Sequence, residues 1–182
     1  MGYDFNISEA IKHIYPHLDN ARDFQVAYNE EDGFTLRAWN TDLPVPTEEE
    51  LQAAWLGALR KQKIDELGVA CQAAINSTFV SSALGTPHVY SYDAEARENL
   101  KNAEAAAKYM ADDATVEWRI HDTREVKRHT KQQVIQLFLD SVQHVQTNVA
   151  KYRQLEAQVL AATTEEEITA IKWEVTDGTT TV

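Results

Sequence analysis

"FTLRAWNTDLPVPTEEELQAAW" (residues 34–55) passes from a strand-like alternation, through two prolines, into a capped helix. Phe34, Leu36 and Ala38 alternate with polar neighbours, the period of a half-buried strand. Leu43 and Val45 each precede a proline, which disfavours the helical region and pushes both toward extended backbone. A proline has no N–H to give to a ladder, so the sheet stops here. Thr47 followed by Glu50 is a capping box, and Glu48, Glu49 and Glu50 sit at the positive end of the helix dipole. The connector is therefore rigid and extended, and it directs a helix away from a small β element.

Working back toward the N-terminus, Ile7, Ala10, Ile11 and Ile14 form a helical stripe with Asn6 or Ser8 as N-cap, ended by Pro16. Phe24, Val26 and Tyr28 alternate, and Asp32-Gly33 separates them from Phe34, Leu36 and Ala38 as a turn signal. The result is a β-hairpin with one apolar face. Two strands are not stable alone, so the first helix, with Trp39, is expected to cover that face. Residues 1–46 read as a small helix-plus-hairpin head.

Downstream, residues 47–63 read as a connecting helix and residues 64–174 as a predominantly helical body. The helical pattern extends from Thr47 to about Phe79. Leu51, Trp55 and Leu59 share one face, and Ile64, Leu67, Cys71, Ile75 and Phe79 share another. The stripes are out of phase and include Gly57 and Gly68, which predicts a bend or break near residues 60–63. A Gly-Thr-Pro turn, a short strand at 88–92 and a helix capped by Asp93 follow. Val116, Trp118 and Ile120 then alternate into a "DTRE" turn, a second hairpin. Thr130 and Gln133 cap the longest element. Its residues Ile135, Phe138, Val142, Val145, Val149, Tyr152 and Val159 fit a heptad that Glu156 interrupts. That stripe requires an apolar partner, from this chain or from another copy. Thr164 with Glu167 caps a last short helix, and residues 175–182 read as a loose tail or an edge strand. The fold class is α+β and mostly helical.

The chain has 29 acidic and 17 basic residues, a formal charge of −12, which argues against a nucleic-acid backbone as partner. The one cysteine, Cys71, lies on an apolar stripe and reads as core packing. No basic-then-apolar start marks a signal peptide, and no apolar run is long enough for a membrane span. Synthesis in the cytoplasm is expected.

His13 and His17 have the i, i+4 spacing of a metal pair, but Pro16 falls between them. His121 and His129 flank the second hairpin near Asp122 and Glu125, the components of a two-histidine, one-carboxylate site. Turn-flanking polar residues are the commoner explanation. "EVKRHTK" (residues 125–131) is a short basic patch, either a local charge balance at a helix start or a contact for an acidic partner. The chain carries no nucleophile elbow, phosphate-binding loop or dinucleotide fingerprint. No catalytic, cofactor or metal residue is assigned. Trp39 and Trp55 flank the proline connector as core residues or as exposed anchors for a docking partner. With Ile135, Phe138, Val142, Val145, Val149 and Tyr152 they are the candidate partner-binding residues.

The order "YP", "RDF", "DG", "WN" and "PxPTEEEL" over residues 9–51 resembles the XkdW-like proteins, small products of phage tail operons. "INSTFVSSALGTPHVYSYDAEARENL", "VEWRIHD", "HTKQQVIQL" and "AATTEEEI", between Ile64 and Trp173, resemble an uncharacterised domain of phage tail-region proteins. That domain has no agreed catalytic residues, so none carries over. The resemblance implies a non-enzymatic tail component at the baseplate or fibre end, with tail, baseplate or fibre proteins as partners and a place in the virion tail. Tail symmetry implies a homo-oligomer, a trimer first. The alternative it implies is a tail-fibre assembly chaperone absent from the mature particle. An enzyme would require a pocket of convergent polar groups.

Overall fold

The computed structural model describes residues 4–174; the tail at 175–182 lies outside the described residues. Their architecture is α+β, with five helices and three separate two-stranded antiparallel sheets. The chain divides into two compact units. Among the described residues, one runs to residue 66 and resumes over 156–172, and the other covers 67–155 and the residues after 172.

The first unit begins with α1 (Ile7–Ile14), capped by Asn6 rather than Ser8. The Asn6 side chain accepts the N–H groups of Ser8 and Glu9 at 3.1 and 3.3 Å. Ile7, Ala10 and Ile11 are fully buried, as their spacing requires. β1 (Phe24–Asn29) pairs with β2 (Gly33–Trp39), and a bulge between Gln25 and Val26 shifts the register. Gly33 closes the turn at φ 68°, a left-handed conformation that costs a glycine little. Phe24 is buried beside Trp39, whereas Tyr28 is 63% exposed. The apolar face thus ends before the hairpin tip. Tyr28 instead packs against Phe34 across the strands, ring centroids 4.8 Å apart.

The connector is held by two side chains: Trp39 Nε1 donates to the Leu43 carbonyl at 2.7 Å, and the Tyr15 hydroxyl to that of Pro44 at 3.1 Å. Thr47 and Glu50 form the expected reciprocal cap, at 2.8 and 3.2 Å. α2 (Glu48–Ile75) then runs unbroken, so there is no break near residues 60–63. The division between units falls within it instead, after Glu66. The two stripes serve two different cores, so their phase change needs no break. α5 (Glu165–Ala170) completes the first unit, its N-cap Thr164 in a capping box with Glu167.

α2 ends at Ile75 and does not reach Phe79. The side chains of Asn76 and Ser77 bond back to the carbonyls of Gln72 and Ala74, terminating the helix. Phe79 belongs to β3 (Thr78–Ser81), which pairs with β4 (His88–Ser91) through a turn containing Gly85 at φ 92°. β4 is the strand expected at 88–92, whereas its partner β3 was not expected; the hairpin expected downstream is present as β5 (Thr115–Arg119) and β6 (Val126–Thr130). α3 (Ala94–Ala107) is capped by Asp93 as expected.

The second core gathers Cys71, Ile75, Phe79, Tyr90, Tyr92, Leu100, Ile120 and Leu137. Phe79 stacks on Tyr90 and meets Tyr92 edge-on, at 5.6 and 5.4 Å. α4 (Lys131–Ala161) presents Val134, Leu137 and Ser141 as its fully buried positions within this unit. The heptad positions within this unit lie on the flanks of that face, whereas Val159, the last of the heptad residues, is fully buried in the first unit. Phe138, Val145, Val149 and Tyr152 are half-buried against the core of their own chain, while Ile135 and Val142 are half-buried outside it.

Candidate functional site

In the second unit, an open groove of about 560 Å³ lies beside the β5–β6 hairpin and the start of α3. Asp93 fixes the start of α3 by accepting the N–H groups of Glu95 and Ala96, both at 3.0 Å. Ser91 Oγ holds His121 Nδ1 at 2.8 Å. The hairpin contributes Glu117, Trp118 and Arg119 from β5 and Arg124 from its turn. Arg124 has φ 61°, a left-handed conformation rare for a residue with a side chain. Glu117 pairs with Arg128 at 3.4 Å, whereas Arg119 and Arg124 form no ion pair among the described residues.

The two histidines that flank the second hairpin take different places. His121 lines the groove; His129 is 0% exposed beneath Tyr90. His129 Nδ1 lies 3.1 Å from the Lys127 carbonyl, which can only accept, so that nitrogen carries the proton. Nε2 therefore accepts the Tyr90 hydroxyl at 2.9 Å. Burial lowers the imidazole pKa, and burial with the nearby Asp140 charge pushes Tyr90 up to about 12. Among the described residues no group of three or more His, Cys, Asp or Glu is arranged to hold a metal. Cys71 is buried, which raises its thiol pKa, and its sulfur faces the Asn148 carbonyl at 3.6 Å.

A second groove, about 420 Å³, lies in the first unit and is lined by Glu9, Lys12, His13, Trp55, Lys61 and Asp65 among others. Trp55 is half-buried, and its Nε1 donates to Glu165 at 2.8 Å. Trp39 is half-buried in the first core, its ring near those of Tyr15 and Phe24. Of the two tryptophans singled out by sequence, Trp55 lines this groove. Arg119, Arg124 and Ser91 were missed. The available signal was the "DTRE" turn, which lacks a glycine where this left-handed residue stands.

Residues 7–62 match the family described as XkdW protein, and residues 58–177, well over half of the chain, match Domain of unknown function (DUF4376). No curated protein and no solved structure matches. The XkdW match marks a phage-associated protein. With an XkdW-like N-terminus leading into the larger domain, the chain belongs to the DUF4376 family.

Proposed function

We propose that this chain is a non-enzymatic component of a bacteriophage tail, at the baseplate or fibre end, that works by docking other tail proteins. The observation that carries the reading is the open groove in the second unit. Three of its polar groups are engaged in holding the fold, since Asp93 caps α3, Ser91 holds His121 and Glu117 pairs with Arg128, while Arg119 and Arg124 form no ion pair among the described residues. A wide, open surface of mixed charge with a half-buried tryptophan in its lining suits a protein contact. The charge of −12 favours protein partners over nucleic acid, and among the described residues no helix is long and apolar enough to cross a membrane. In this reading the protein is made in the host cytoplasm, self-associates and ends in the virion tail.

The alternative, a tail-fibre assembly chaperone, draws on a ridge of α4. Leu139 is 53% exposed, with half-buried Ile135 and Val142 at helical spacing on either side. Such a ridge suits a client protein. Quantitative mass spectrometry of purified particles separates the two. A fixed low copy number relative to tail-tip proteins is the expected result. Abundance in lysate with absence from particles assigns the chaperone role, and absence from both removes the tail reading.

A further inference from the structure

We infer that the free edge of β5 receives an extended segment of a partner protein in which acidic side chains alternate with apolar ones. The inference rests on the docking reading above and names its surface and the chemistry of its partner. β5 forms its ladder with β6 alone. The Ile120 N–H points toward β6, donating to the Glu125 carbonyl at 2.8 Å. Successive backbone groups alternate sides, so those of Arg119, Glu117 and Thr115 face away from β6. On that far side the next N–H, from His121, donates to the Val89 carbonyl at 2.8 Å, which closes the edge at one end. The open groove borders this far side, since β5 residues line it and β6 residues do not. An unpaired strand edge beside a groove is the arrangement that binds peptides by strand addition.

Charge decides the occupant. Acidic residues outnumber basic ones by twelve in this chain, yet Arg119 and Arg124 have no carboxylate partner among the described residues while lining one groove. Asp93 is engaged with two backbone N–H groups, and Glu117 with Arg128. Glu95, on α3, disfavours a second carboxylate at its own wall, so the partner's acid belongs at the arginine end. Arg124 holds a left-handed conformation that places a long cation where a turn usually carries glycine. Trp118 lies on the opposite face of β5 from Glu117 and Arg119; it is half-buried against the second core and also lines the groove, on the side that the apolar residues of an alternating segment would take.

The test uses the full chain and a fluorescein-labelled capped peptide, Val-Glu-Val-Glu-Val, followed by fluorescence anisotropy up to about 1 mM. Three controls accompany it: the lysine counterpart, a form N-methylated on alternate amides, and the variants Arg119→Ala and Arg124→Gly. The glutamate peptide should bind. Each variant should weaken it about tenfold, as loss of a charge-assisted hydrogen bond does. Arg124→Gly relieves the left-handed position, so its melting temperature should be at or above the parent's and unfolding cannot explain the loss. Equal binding of the lysine peptide, full binding of the N-methylated one, unweakened binding in both variants, or no binding at all would overturn the inference. Failure here leaves docking through other surfaces intact, which the particle measurement reads independently.

Discussion

Gly57 lies inside α2, where glycine costs about 1 kcal/mol relative to alanine. A methyl group there would meet His13 Nε2 at 2.6 Å, so the histidine ring occupies the space that a side chain would take. Gly57→Ala alone should therefore gain little, because the ring must move. In a His13→Ala background the same change should stabilise by about 0.5–1 kcal/mol. Urea denaturation of the four proteins checks this, and an identical gain in both backgrounds would show that the ring is not held there. His129 supplies a pH dependence. Its buried imidazole has a lowered pKa, so below its ordinary value near 6.5 the unfolded chain binds a proton that the folded chain refuses. Stability at His129 is thus undiminished above pH 6.5 and falls as the pH drops below it. The melting temperature of His129→Gln should decline less between pH 7 and pH 5 (about the histidine range) than that of the parent. Parallel curves would remove the buried neutral histidine.

At the scale of elements, α4 distinguishes pattern from packing. Leu137→Ala should cost about 2–5 kcal/mol, since the residue is fully buried. Ile135→Ala and Val142→Ala should each cost about 1 kcal/mol or less in the isolated chain, because both remain half-exposed. Chemical denaturation measures all three, and the opposite order would show the heptad stripe to be the buried face. The heptad pattern placed this face one residue off because it counts only apolar positions. Ser141 is buried yet satisfied by the Phe138 carbonyl, and His144 bonds to the Ile75 carbonyl. Polar residues that find partners can occupy a core-facing row, and no hydropathy pattern reveals those partners in advance. The same limit hid β3: Phe79 continues the helical spacing of Cys71 and Ile75, and the bonds made by Asn76 and Ser77 decide against helix.

For the whole molecule, net charge governs association. At −12, copies repel one another over about 30 Å at 0.01 M salt and about 8 Å at 0.15 M. Sedimentation velocity of the proposed oligomer should therefore show association strengthening as salt rises through that range. A monomer at every salt and protein concentration would remove self-association from the proposed function.

Much of this protein was determined by local sequence. Asn6, the Thr47–Glu50 pair, Asp93, the Thr130–Gln133 pair and the Thr164–Glu167 box start their helices through bonds reaching only a few residues. Asp32-Gly33 and the Pro-Val-Pro connector act over equally short range, so the head hairpin and the helix after it were legible from composition and spacing. The tertiary structure decided which face of α4 is buried, that residues 78–81 pair with residues 88–91 once the helix has ended, and that Ser91, Trp118, Arg119 and Arg124 share one groove. Those outcomes rest on contacts between residues far apart in the chain, where burial and hydrogen-bond satisfaction override local preference.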